Sequence, residues 1–389
     1  FNSSHIGVEN LTASISLKAL QNDTLNIAVR RFAFKEQSGF ELKKLALKLI
    51  ANNNSLNIKD FSIELPQTDL SLEHLDVKYD SLSSLSFLTD DLLYEGKIKG
   101  KLLLSDFSSI SPIFKGFSNP FELNWSFKGK GKEIDFPQFS LSDNKYINIQ
   151  ALASVKDWDN KDKMNLYGQI SQLNVNQEGI IYLLNNLAEK EIPVIKNMQF
   201  IDFRGSAKGN YKNLSFDGIL QTGIGHISTH VTMTSDKDSN RSYSGSLTSQ
   251  NLNLGVLLSD EQKYGMADLN IILNGYNKSK NNPESSIKGV ISSLEYCNYR
   301  YENITFEGLY KNDGFNGTLA LNDDNGSIEI DGHFNTTHPI PYFNIQALVK
   351  NVRPNELNLS DKYKDSDISL KLTADFSGNT IENLNGRIS

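Results

Sequence analysis

The pattern that most restricts this chain is alternation. Leu11, Ala13, Ile15, Leu17 and Ala19 are apolar, and Thr12, Ser14, Ser16 and Lys18 between them are not. A period of two places one set on one face of a strand and the other set on the opposite face. The same beat returns at Leu25, Ile27 and Val29, at Phe61, Ile63 and Leu65, and at Leu75, Val77 and Tyr79. Turn-forming residues such as Gln21-Asn22-Asp23 separate the runs, at intervals of roughly 8–15 residues. These features predict an all-β chain of many short antiparallel strands.

A second pattern sits on the first. A large apolar residue, a polar residue, glycine, any residue and a further, usually apolar, residue recur in that order. Copies include Phe216-Asp217-Gly218-Ile219-Leu220, Ile287-Lys288-Gly289-Val290-Ile291 and Phe306-Glu307-Gly308-Leu309-Tyr310. Others are Phe315-Asn316-Gly317-Thr318-Leu319 and Ile330-Asp331-Gly332-His333-Phe334. More degenerate copies extend from Tyr94-Glu95-Gly96 to Leu384-Asn385-Gly386. Each glycine therefore falls on the apolar side of its strand. A glycine there permits a local bend and lets a neighbouring bulky side chain cover its backbone. Irregular spacing of the copies argues for an elongated repeat without a fixed rung length. Gly218, Gly289, Gly308, Gly317 and Gly332 are thus read as bend positions.

The best-defined local topology is the segment 303–335. Asp313-Gly314 and Asn325-Gly326 are hairpin signals, since both central residues of a type I′ turn need positive φ. They predict strands over 303–312, 315–324 and 327–335. Two-residue loops centred on those pairs would set Gly308 opposite Leu319, and Leu319 opposite Gly332. Tyr310, Gly317 and Phe334 would share another row. Ile304, Phe306, Tyr310, Phe315, Leu319, Leu321, Ile328, Ile330 and Phe334 then fall on one face, and Phe216 and Leu220 continue that lining. Glu307, Asn316, Thr318, Glu329, Asp331 and His333 face water.

Helical periodicity is rare. Residues 176–190 set Ile180, Leu184 and Leu187 on one stripe. Shorter turns are expected near 106–117 and within 251–264. The chain is read as one continuous strand array over 1–389, with a first block at 1–105, a helix-containing block at 106–200 and a glycine-rich block at 201–389.

Composition narrows the function classes. Of the 389 residues 38% are apolar, and the net charge is -7. A low apolar share implies much polar surface per unit of core, and the negative balance argues against nucleic acid as a partner. The single Cys297 allows no internal disulfide. No run is apolar enough to span a bilayer as a helix. The chain opens on Phe1 and stops inside a strand-like pattern, as a fragment of a longer protein would.

Catalytic and metal motifs are thin. His226 and His230 are four apart, but Ile224, Ile227 and Val231 around them have the pattern of a strand, and no third ligand is evident. Thr222-Gly223-Ile224-Gly225 lacks the third glycine of a dinucleotide fingerprint. Asn322-Asp323-Asp324-Asn325-Gly326 opens like a calcium loop, yet Phe334 stands where the closing glutamate should be, so it reads as a hairpin turn. No catalytic centre and no cofactor are expected.

The serial apolar-x-Gly-x-apolar strands, with the segments LLYEGKIKGKLLLSDFSSISPIF (92–114) and FRGSAKGNYKNLSFDGILQTGIGHISTHVTM (203–233), resemble the periplasmic part of the TamB proteins, in the AsmA-like group of bridge-type lipid transfer proteins. The Asn- and Lys-rich composition is similar to Bacteroidetes members. The resemblance implies strands curled into a long U-shaped groove (a β-taco), apolar within. It implies a non-enzymatic role in the periplasm, carrying phospholipid between the inner and outer membranes. It further implies an inner-membrane anchor in an N-terminal part outside this chain, and a TamA-like outer-membrane barrel as partner. Alternative readings are an outer-membrane protein assembly module working with such a barrel, and a closed β-repeat adhesin. About 25–30 strands at ~4.8 Å spacing would make a groove on the order of 120–140 Å long.

Overall fold

The computed structural model describes residues 7–21, 23–81, 84, 88–187, 193–236, 240–277, 283–311, 314–335, 340–360, 362, 366–378 and 383–389. Strands dominate, as the alternation requires. They are β1 (Val8–Gln21), β2 (Thr24–Glu36), β3 (Glu41–Ala51), β4 (Ser55–Glu64), β5 (Asp69–Lys78), β6 (Leu93–Leu102), β7 (Phe121–Lys130), β8 (Glu133–Ser142), β9 (Ile147–Lys156), β10 (Asn165–Val175) and β11 (Ile201–Gly209). The series continues with β12 (Asn213–Thr222), β13 (Gly225–Ser235), β14 (Arg241–Asn253), β15 (Tyr264–Asn277), β16 (Pro283–Tyr296), β17 (Tyr299–Lys311), β18 (Gly314–Asp323), β19 (Gly326–Asn335), β20 (Tyr342–Val352), β21 (Ile368–Ser377) and β22 (Asn385–Ile388).

Contacts gather into two compact units, Phe1–Asn210 and Tyr211–Ser389. Within the first, β1 to β11 pair in chain order, each antiparallel to the next. Within the second, β12 to β22 do the same. Such a meander needs only short connections and makes mostly local contacts.

The helices are short: one follows the expected apolar stripe, and Pro193–Lys196 adds a turn outside the expected regions. Gln177–Leu187 is helical, with Ile180 only 1% exposed; residues 188–190 lie outside the described residues. Two 3-10 turns, Leu104–Phe107 and Pro112–Phe114, occupy the 106–117 region. Leu254–Leu258 forms one further turn, whose first N–H groups are capped by the Asn253 side chain accepting from Val256 N–H at 3.0 Å.

The expected register of the 303–335 meander is corrected by two residues. Asp323 pairs with Gly326, so the hairpin loop is Asp324-Asn325 and not Asn325-Gly326. Neither loop residue has positive φ; that conformation falls on Gly326, at +132°. The Asp323 carboxylate accepts from Asn325 N–H at 3.0 Å and closes an Asx turn. Sequence pattern pointed to a primed turn, but the aspartate's own hydrogen bond selects another. Lys311 pairs with Gly314 across 312–313, which lie outside the described residues.

The shift has a consequence for the glycines. Gly308, Gly317 and Gly332 pair directly with one another in one row, instead of each facing a bulky residue. Phe306, Leu319 and Ile330 make the next row, and Tyr310, Phe315 and Phe334 the one on the other side.

Candidate functional site: an apolar face carried by consecutive strands

The lining residues named from sequence come together in the second unit. Directly paired residues of antiparallel strands point to the same face. One row runs Leu220, Ile227, Ser249, Leu269, Ile291, Ile304, Leu321, Ile328, Val349 and Leu370. A second runs from Gly218 through Thr229, Leu247, Ile271, Gly289, Phe306, Leu319, Ile330 and Ala347 to Leu372. The third holds Phe216, Val231, Gly245, Leu273, Ile287, the Gly308-Gly317-Gly332 triplet, Ile345 and Ala374. The fourth ends in an aromatic block of Tyr310, Phe315, Phe334, Phe343 and Phe376. No charged residue stands in any of these rows.

What the glycines do is visible at close range. A Cβ on Gly308 would lie 1.9 Å from Phe315 Cζ, and one on Gly317 would lie 2.4 Å from the same ring. Gly289 is roofed by Phe306 and Gly275 by Tyr243 in the same way. In the first unit Phe127 covers Gly96 and Tyr94 covers Gly129. Each glycine is a seat on which a neighbouring ring lies down. That covers bare backbone and leaves a thin, smooth apolar surface.

The face is only partly closed by the protein. Leu319 is 40% exposed, Phe334 39%, Leu273 40% and Val231 38%. Among the described residues, the larger buried side chains of this face gather at one margin. There Tyr301, Ile304, Leu321, Val352 and Leu357 make a buried cluster, and Leu357 is fully covered. The Tyr301 hydroxyl donates to the Leu357 carbonyl at 2.7 Å. Burial pushes its pKa up to about 12, with lesser contributions from Cys297 and the neighbouring tyrosines.

That margin is built by a device the sequence reading did not find. Gly225, Asn251, Asn303, Gly326 and Asn351 all have positive φ, and each lies within two residues of the row through Ile304. At Asn303 the inward set changes from Tyr301 to Ile304, a step of three where alternation takes two. Asn251 does the same between Ser249 and Leu252, and Asn351 between Val349 and Val352. An extra residue bends the strand and increases its local twist. It also turns Leu252, Tyr301 and Val352 into the margin. The signal was present: a polar residue followed by Asn or Asp inside an otherwise alternating run, as in Gln250-Asn251, Glu302-Asn303 and Lys350-Asn351.

Gly218, Gly289, Gly308, Gly317 and Gly332 keep ordinary extended φ. Within the strands beside the Ile304 row the non-glycine positive-φ positions are Asn251, Asn303 and Asn351, because asparagine tolerates the left-handed region while its strand neighbours do not.

The first unit repeats the arrangement. Leu17, Ile27, Leu49, Ile58, Leu75, Gly96 and Phe127 share a row. Its closed margin is made by Phe121, Ile147, Val175 and Ile180, with the helix Gln177–Leu187 laid over it. Near the other end an open apolar pocket of ≈ 490 Å³ is lined by Leu75, Val77, Leu88, Leu92, Tyr94, Ile134 and Trp158.

The opposite faces are polar and laced with cross-strand ion pairs. Lys288 meets Glu307 at 3.0 Å and Lys311 meets Glu284 at 2.9 Å, while His230 Nδ1 shares a hydrogen bond with the Asp217 carboxylate at 2.6 Å. All of these groups are exposed, so each pair contributes at most about 1 kcal/mol. His226 and His230 belong to β13, and Asp323 to Phe334 form a hairpin.

Among the described residues no helix is long and apolar enough to cross a membrane. Comparison of the chain with protein-family models, with curated proteins and with solved structures finds no match.

Proposed function

We propose that this chain is a non-enzymatic carrier of phospholipid acyl chains, of the TamB-like bridge type, and that its lining is the apolar face traced above. The observation that carries the reading is continuity: uncharged rows pass from β12 to β21 without a break, and large side chains in them away from the closed margin, Leu319, Phe334, Leu273 and Val231 among them, stay part-exposed. A face made for the protein's own packing would be covered along its whole length. Here only one margin is, and the remainder holds flat rings on glycine seats, a surface that suits a flexible hydrocarbon chain.

The energetics favour such a guest. Exposing a methylene to water costs about 0.8 kcal/mol, so a sixteen-carbon chain faces about 12 kcal/mol in crossing an aqueous space unaided. An unbroken apolar path removes most of that barrier, and the headgroup stays in water at the open side. Curling of the strands into a trough, a periplasmic setting, an inner-membrane anchor and an outer-membrane barrel partner belong to this proposal and rest on the resemblance.

The test is crosslinking. Photoreactive residues at Leu319 and Phe216, on the apolar face, should capture phospholipid from a membrane extract, and one at Thr318 should not. Capture at Thr318 alone, or at none of the three, overturns the reading.

A further inference from the structure

On the polar face of the first unit three side chains converge without partners enough to explain them. His74 and Asp76 are two apart on β5 and point the same way; Glu95 on β6 is directly opposite Asp76. One donor atom from each, an imidazole nitrogen and two carboxylate oxygens, lies within 4.8 Å of the others. Two carboxylates directly opposite across an antiparallel pair repel one another. Elsewhere on these strands such charge is neutralised: Glu73 is held by Lys97 at 3.2 Å and by Lys99 at 2.5 Å. Those contacts hold the Glu73 carboxyl below its usual range. No cation is paired with Asp76 or Glu95 among the described residues, and His74 has no hydrogen-bond partner among them.

We propose that His74, Asp76 and Glu95 form a binding site for a divalent transition-metal cation of the zinc type. The ligand set is one that zinc accepts, with water completing a tetrahedron. Ligand atoms about 2.05 Å from such an ion stand roughly 3.3 Å apart, and the three donor atoms already lie within 4.8 Å of one another. The outer support is present. Asn57 on β4 donates from Nδ2 to Asp76 Oδ1 at 2.6 Å, which orients that carboxylate and leaves its other oxygen for the ion. The strand irregularity between Leu72 and His74 sets His74 on the outer face beside Asp76. A bound ion would cancel the repulsion and tie β4, β5 and β6 together. This inference is independent of the lipid reading.

The experiment titrates Zn²⁺ into the full, chelator-stripped chain by calorimetry and follows the thermal midpoint. Wild type and His230→Ala, a control at an exposed histidine elsewhere, should each take up one Zn²⁺ at this site and rise in Tm. His74→Ala and Glu95→Gln should each weaken binding at least tenfold and lose the Tm rise. His74→Gln supplies the same test should the alanine variant not fold. Absence of saturable uptake by wild type, or wild-type affinity in the His74 variants, overturns the site. Loss in those variants with none in Glu95→Gln overturns the three-ligand arrangement.

Discussion

A single buried charge should separate carrying a lipid from merely being folded. Leu319 lies between Phe306 and Ile330 in the second row of the apolar face. It is 40% exposed, so truncating its packing forfeits only part of the roughly 1.5–3 kcal/mol of a fully buried leucine, about 1–2 kcal/mol. Leu319→Asp should therefore fold, with a lowered thermal midpoint. In the empty protein the new carboxylate keeps some of its water. An acyl chain laid over it removes that water, at an effective cost of several kcal/mol for the ion. Taking about 3 kcal/mol, the affinity for a fluorescent phospholipid should fall on the order of a hundredfold. Thr318→Asp, one residue along and on the polar face, should change it less than twofold. Both are read by displacement of the labelled lipid, with thermal unfolding as the control for folding. Near-wild-type affinity in a folded Leu319→Asp chain, or an equal loss in Thr318→Asp, would refute the assignment of the lining.

Gly308→Ala should destabilise by about 1–3 kcal/mol, since its Cβ would meet the Phe315 ring at 1.9 Å. Gly168→Ala has nothing within 4 Å and should be neutral or slightly stabilising, as urea midpoints will show. The Tyr301 phenol, raised to about 12 in the folded state against 10.0 in its ordinary state, contributes stability that is fully present below pH 10. That contribution should be lost as pH rises through 10 toward 12, and Tyr301→Phe should flatten this part of a denaturation profile.

The strand array was legible in residue pattern because alternation is a local property. Each run of Leu, Ile or Val against Ser, Thr or Lys names its own two faces, whatever the chain does elsewhere. For the same reason Ile304, Phe306, Tyr310, Leu319 and Phe334 could be assigned to one face before any pairing was known. Pairing was another matter. Asn325-Gly326 carries a strong turn signal, yet the Asp323 side chain takes the Asn325 N–H and moves the loop by one residue. Every cross-strand partner then moves by two, which keeps the face and changes the neighbours. The glycines consequently meet one another, and Phe315 covers two of them from an adjacent row.

The residues alone determined an all-β chain with one charge-free apolar side and one solvated side, since period-two patterning leaves no other consistent arrangement. Only the tertiary structure decided where that apolar side is closed and where it is left open. The decision rests on a few left-handed asparagines and two positive-φ glycines beside a single row. A backbone reversal of parity at those points turns Tyr301, Leu252 and Val352 into a buried margin, and such an effect depends on how strands lie beside one another, not on the composition of any one of them.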